Sequence, residues 1–181
     1  MECISKDLRK EHDAILFGLT ILEHLAELVR AESGYDVDDL KGMVDFFRYF
    51  ADKCHHGKEE DILFPAMEIA GIPKVNGPIG VMLNEHEVGR KLIKGMDSAI
   101  TGNEVDKEEF ANAADLYVEL LRSHISKENN VLFPMGDRRI PVSRQKELQE
   151  EFDKFEKEIM GEGKHEEVHS FIEDMEVKYL H

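Results

Sequence analysis

Tryptophan is absent from this 181-residue chain, cysteine occurs twice, at Cys3 and Cys54, and proline five times. Two thiols cannot build a disulfide framework, so folding must rest on an apolar core, and a reducing cytoplasm is the expected setting. No apolar run approaches the roughly 20 residues needed to cross a bilayer. The first residues offer no export signal, because Lys6, Asp7, Arg9, Lys10 and Glu11 arrive before any apolar stretch. β-branched clusters and alternating apolar patterns are scarce, and no strand prediction competes with helix. Positive charge is also in deficit: 23 Lys and Arg stand against 39 Asp and Glu, a net charge of −16 that would repel a phosphate backbone and argues against nucleic-acid binding.

Hydrophobic residues make up 41% and charged residues 34%, enough apolar material to bury a core in a chain of this length. Breaks are expected at Ser33-Gly34, from Gly71 to Pro78, at Thr101-Gly102-Asn103, from Gly136 to Pro141 and from Gly161 to Gly163. They leave four long and two shorter segments, all read as helices. Pro78 fits a first-turn proline, Asp106 with Glu109 a capping box, and Gly102 and Gly161 helix C-caps. The expected fold class is all-α. An up-down-up-down four-helix bundle occupies residues 1–140, and 141–181 form a C-terminal helical extension, with helices near 143–160 and 164–180 packed outside as a cover or association surface.

Apolar periodicity predicts the buried seam of each long helix. The first reads Leu8, His12, Ile15, Leu19, Leu22 and Ala26; the second Leu40, Val44, Phe47, Ala51, His55, Glu59, Ile62 and Ala66. The third reads Met82, His86, Gly89, Ile93, Met96 and Ile100; the fourth Phe110, Ala113, Tyr117, Leu120, His124, Glu128 and Val131. All four seams carry a histidine, and two carry a His-x-x-x-Glu pair. The second and fourth segments echo one another, since each pair precedes a Leu-Phe-Pro triplet, Leu63-Phe64-Pro65 and Leu132-Phe133-Pro134, at the same spacing. Glu11-His12 and Glu85-His86 form a second echo.

A His and a Glu four residues apart project from one helix face, so two such pairs can meet in a bundle interior. Taken singly, any of these histidines is more often a packed or surface residue than a ligand. Together, two buried carboxylates among four histidines are a liability that cations would remove. Imidazole and carboxylate suit iron, with manganese or zinc also compatible, and the lack of inward-facing thiolates argues against an iron-sulfur cluster or thiolate zinc site. The candidate metal ligands are His12, His55, Glu59, His86, His124 and Glu128.

His56 and Glu60 form a competing pair shifted by one residue. Stepping back from His56 gives Asp52, Tyr49 and Asp45, a polar stripe, so His56 is expected at the surface or behind the ligands. His24, His165, His169 and His181 are expected to be structural or exposed. Cys54 is expected to be packed rather than redox-active. Tyr117 is expected in the core, with lining of a pocket as the alternative; Glu11 and Glu85 either orient ligands or lie exposed.

Glu11-His12, His55-x-x-x-Glu59 with Leu63-Phe64-Pro65, Glu85-His86, and His124-x-x-x-Glu128 with Leu132-Phe133-Pro134 together resemble the hemerythrin-like, or HHE cation-binding, domain family over roughly residues 4–135. The resemblance implies a four-helix bundle with two non-haem iron ions, oxo- or hydroxo-bridged, with Glu59 and Glu128 bridging and His12, His55, His86 and His124 as terminal ligands. Oxygen-carrying hemerythrins place a further histidine where this chain has Arg90, so simple oxygen carriage is not implied. The four-histidine, two-glutamate pattern looks more like bacterial proteins of iron-sulfur-cluster repair and nitric oxide stress, and like iron-sensing domains. The leading functional expectation is a protein that binds or reduces a small oxidant (dioxygen, peroxide or nitric oxide), served by an electron donor the sequence does not identify. An iron- or oxygen-responsive module without turnover is the first alternative, and a bundle whose polar seam holds no metal is the second. No catalytic residue is assigned.

Overall fold

A proline inside a helix removes one N–H donor and crowds the carbonyl four residues back, and this chain has two such prolines in its longest helices. The computed structural model, which describes residues 3–161 and 163–181, shows how the backbone accommodates them. Its described residues form six continuous helices and no strand. They are α1 (Lys6–Arg30), α2 (37–69), α3 (Pro78–Ile100), α4 (107–139), α5 (Val142–Met160) and α6 (Lys164–Tyr179). Two of them change their winding midway. In α2 the α-helix gives way to π-helix over Phe47–His56 and again over Glu59–Leu63, just before Pro65. In α4 the same change occurs over Glu128–Leu132, just before Pro134. A π turn bonds i to i+5, so it widens the helix where the proline ring needs room.

The expected breaks fall between helices, except that Gly136 lies inside α4 and the break comes at Ile140-Pro141. Glu162, within the expected Gly161–Gly163 break, and the side chain of His165 lie outside the described residues. Asp106 accepts from the Glu109 backbone N–H at 3.1 Å, one half of the expected capping box, while its own N–H donates to the Ala99 carbonyl, and Pro78 occupies the first turn of α3 as expected. Asp36 does the same for α2, accepting from Asp38 N–H at 2.9 Å. Gly161 ends α5 with φ 76°, a conformation that favours glycine.

Helices α1 and α3 both pack along α4, and α2 touches α1, α3 and α5. Their seams bury two apolar clusters. One holds Ile15, Leu19, Leu22, Phe47, Ile93, Phe110 and Tyr117; the other holds Leu8, Phe64, Met67, Met82, Phe133 and Phe152. Each fully buried aliphatic or aromatic side chain contributes about 1.5–3 kcal/mol, so these clusters position the polar layer that separates them. Three seam expectations are corrected. Leu120 and Ile62 are only partly buried and Val131 is 51% exposed, while Leu121, Leu63 and Leu132 are buried in their place. At Ile62 and Val131 the π turns shift the inward face by one residue, which a constant α-helical period cannot anticipate; Leu120 precedes the π turn of α4 and is not explained by it.

The extension packs closely on α2. A Cβ at Gly57 would stand 2.7 Å from the Phe155 ring, and one at Gly42 would stand 2.6 Å from the Phe171 ring, so both glycines are notches that admit these rings. Gln145 of α5 accepts from Ile4 N–H at 3.0 Å and donates to the Ile140 carbonyl at 2.8 Å, tying the start of α5 to the chain before α1.

Candidate metal centre

The polar layer lies where each seam switches from one apolar cluster to the other. It holds His12 of α1, His55, His56 and Glu59 of α2, His86 of α3, and His124 and Glu128 of α4, all 3% exposed or less. The six residues predicted as ligands therefore come together. Their coordinating atoms form two groups, each spanning no more than 4.8 Å: His12, His55, Glu59 and Glu128 in one, and His56, Glu59, His86 and His124 in the other. Imidazole and carboxylate donors converging over this range are the kind of group that holds a metal ion.

Glu59 belongs to both groups. Its Oε1 lies 3.5 Å from His55 Nε2 and its Oε2 3.3 Å from His86 Nε2. Glu128 Oε2 lies 3.2 Å from His12 Nε2 and 3.3 Å from His124 Nε2, so each carboxylate reaches an imidazole of both groups.

The outer ring nitrogens have partners. His55 Nδ1 donates to Glu11 at 2.7 Å, His86 Nδ1 to Glu60 at 2.6 Å, His124 Nδ1 to Glu85 at 2.9 Å, and His12 Nδ1 to Asn129 Oδ1 at 2.8 Å. Carboxylate and amide oxygens are acceptors, so each Nδ1 carries the proton and each Nε2 presents a lone pair inward. Glu11 and Glu85, read as either orienting ligands or lying exposed, each bind a histidine of the layer. Behind them, Glu11 is paired with Lys58, itself buried and bonded to Glu156 of α5 at 3.0 Å, and Glu85 with Lys127.

The interior is left with orphans. His12 Nε2, His55 Nε2, His56 Nε2 and all four oxygens of Glu59 and Glu128 are buried without a hydrogen-bond partner, and His86 Nε2 faces His124 Nε2 at 3.2 Å. Buried polar atoms ordinarily find partners, so converging lone pairs of this kind fit cations. Burial opposes the charge on His124, but Glu128 and Glu85 outweigh it and push its pKa up to about 10. His12 and His86 are raised against burial in the same way, by Glu128 and by Glu59 and Glu60 respectively, while the imidazoles hold Glu128 well below the usual carboxylate range despite its burial.

Aromatic rings seal the layer. Phe133 stacks on His12 with centroids 5.2 Å apart and planes 5° apart, and Phe64 faces His86 at 6.0 Å. The two Leu-Phe-Pro triplets thus do paired work: the proline widens the helix that carries the glutamate, and the phenylalanine backs a histidine of another helix. Tyr117 is core, edge-on to Phe47 at 5.0 Å, with its buried hydroxyl unpartnered and held neutral by burial. Cys54 is buried, and burial pushes its thiol up to about 12, which makes it a packing residue. His24 is half-buried, His181 is exposed, and His169 lies 6.5 Å from Phe50.

For His56 the surface alternative is corrected. The residue is 3% exposed, stacked on His86 at 3.8 Å, a member of the second group, and its Nε2 is buried without a hydrogen-bond partner. The polar stripe read behind it was real: Asp52 is bound by Arg90 at 2.9 Å, and Glu60 by Arg90 at 2.7 Å. These charges line the outer edge of the site rather than open solvent. The ten-residue π segment ends at His56 and turns through less angle per residue than an α-helix, so two consecutive histidines share the inward face. Pro65, which demands a wide turn, and Asp52 four residues before His56 were the available signals.

An all-helical protein with a buried histidine and carboxylate layer of this build is a metal-binding protein. The chain belongs to the hemerythrin HHE cation-binding domain family, whose model matches residues 3–136. It is similar to an uncharacterized protein of Mycobacterium tuberculosis, at 23% identity over 94% of this chain and 68% of the relative. It is also similar to the iron-sulfur cluster repair protein YtfE of Salmonella newport, at 36% identity over 44% of this chain and 39% of that protein. No solved structure matches it. No helix among the described residues is long and apolar enough to cross a membrane.

Proposed function

We propose that this chain is a four-helix-bundle diiron protein of the cytoplasm that binds or reduces a small oxidant such as dioxygen, peroxide or nitric oxide. Helices α1 to α4 form the up-down-up-down bundle, and His12, His55, Glu59, His86, His124 and Glu128 hold the ions. The observation that carries this reading is Glu59, whose two oxygens face imidazoles of two separate groups while neither has a hydrogen-bond partner. Manganese or zinc would fit the same donor types, and the preference for iron rests on the family. Bound iron supplies exchangeable electrons and coordination positions that a small oxidant can take up.

The protein's own groups orient and enclose. Glu11, Glu60, Glu85 and Asn129 fix each imidazole so that its Nε2 faces inward. Phe64 and Phe133 keep bulk water from the lone pairs, so the entering molecule must be small. The likeness to YtfE supports a second reading, a role in iron-sulfur-cluster repair under nitric oxide stress.

The test is metal content with an optical spectrum, taken on protein purified without added metal, before and after anaerobic reduction and exposure to oxygen or nitric oxide. About two irons per chain and near-ultraviolet absorption that bleaches on reduction are expected for such a centre. Undiminished helicity with no metal, and no uptake on reconstitution, would refute it.

A further inference from the structure

Five imidazoles in the polar layer share one construction, with Nδ1 turned to an oxygen outside and Nε2 turned inward. His56 is the fifth. Its Nδ1 faces Asp52 Oδ1 at 3.4 Å, and its Nε2 is buried with no hydrogen-bond partner. An imidazole that merely filled space among the rings would gain by pairing Nε2 with a core donor or turning it to water, because a buried nitrogen left unpaired costs free energy. Here His56 instead joins Glu59, His86 and His124 in a group whose ligand atoms lie within 4.8 Å of one another, where Glu59 Oε2 already stands 3.3 Å from His86 Nε2. We propose that His56 is a ligand to the ion held by His86, His124 and Glu59, and that Asp52 positions it there. This inference rests on the two-ion reading above.

One cation secures the arrangement from outside. Arg90 Nε donates to the same Asp52 oxygen that His56 faces, at 2.9 Å, and Arg90 donates through its other arm to Glu60, which accepts from His86 Nδ1. A single guanidinium therefore aligns the carboxylates behind two neighbouring imidazoles, and it does so from α3 across to α2. The consequence is an asymmetric pair. Three imidazoles serve the ion beside His86 and His124, and two serve the ion beside His12 and His55. The less crowded position is the one beside His12.

The test is imidazole counting by X-ray absorption and Mössbauer spectroscopy on the iron-57-loaded full chain, with His56→Ala, His56→Gln and Asp52→Asn beside it. In the wild type, five imidazoles over two irons and two distinct iron environments in equal amounts are expected. His56→Ala and His56→Gln should alter one environment, half of the signal, and leave the other intact, with added imidazole restoring the lost environment in His56→Ala. Asp52→Asn should weaken retention of that one ion about 10- to 100-fold, the usual effect of losing a group that orients a ligand. Four imidazoles over two irons in the wild type, or variants with spectra identical to it, would overturn the assignment while leaving the two-ion reading standing. A wild type that takes up no iron would remove both. The wild-type count needs no variant, so it decides the matter even if His56→Ala does not fold.

Discussion

Replacing both interior glutamates by leucine should stabilise the metal-free protein and abolish its response to metal. Glu59 and Glu128 are 0% exposed, and none of their four oxygens has a hydrogen-bond partner. Leucine has nearly the same volume, so Glu59→Leu/Glu128→Leu trades two buried charges for apolar packing without opening a cavity. The pKa values of His12, His86 and His124, which these carboxylates raise, then fall, favouring the neutral form. Exchanges of whole buried ionic sets for apolar groups of similar size gain about 1–4 kcal/mol, and the gain carries over here because the imidazoles left behind, unlike a lone carboxylate, can give up their charge near neutral pH. For a chain of this length each kcal/mol moves Tm by about 2–4 °C, so the metal-free double variant should melt about 3–10 °C above the metal-free wild type. Metal reverses the order. An ion present at about 1,000 times its Kd adds about 4 kcal/mol, and two ions about twice that, so the loaded wild type should melt about 20 °C above its own metal-free form. Calorimetry or far-ultraviolet circular dichroism melts in chelator and in anaerobic ferrous iron make the four measurements. If the wild type melts at the same temperature with and without metal, and the double variant melts lower in both, the polar layer is not built for cations and the reasoning fails.

Three further outcomes follow from the packing around the layer. Phe133→Ala removes a fully buried ring stacked on His12 and should cost about 3–5 kcal/mol in urea unfolding, with faster loss of metal to chelator. Lys58→Met leaves the buried Glu11 carboxylate without its cation and should cost about 3–5 kcal/mol, most of it recovered in Lys58→Met/Glu11→Gln; equal stability of the two variants would deny the pair its role. Cys54 should resist a thiol reagent at pH 8, because burial raises its pKa to about 12 and keeps it protonated, while half-buried Cys3 reacts; two thiols reacting at one rate in the native protein would contradict this.

Much of this was legible from spacing alone. Seam positions such as Leu8, Leu19, Val44, Ile93 and Phe110 are buried as the helical period requires, and the six polar interruptions in those seams meet in one layer. What escaped was a change of period. The rule that separates His55 from His56 assumes about 100° per residue, and the π segments of α2 break it, bringing His56 inward and exchanging Ile62 for Leu63. The same break in α4 exchanges Val131 for Leu132. Charged residues around the site were equally opaque, because Lys58 and Glu156 are 98 residues apart and their pairing depends on where α5 docks.

Gly57 stands between His56 and Glu59, two members of the polar layer, and the ring of Phe155 fills the space its missing side chain leaves. That one ring and the Lys58–Glu156 pair join the turn of α2 that carries His56 and Glu59 to α5, so a helix with no group in the polar layer is packed directly against the backbone that positions it.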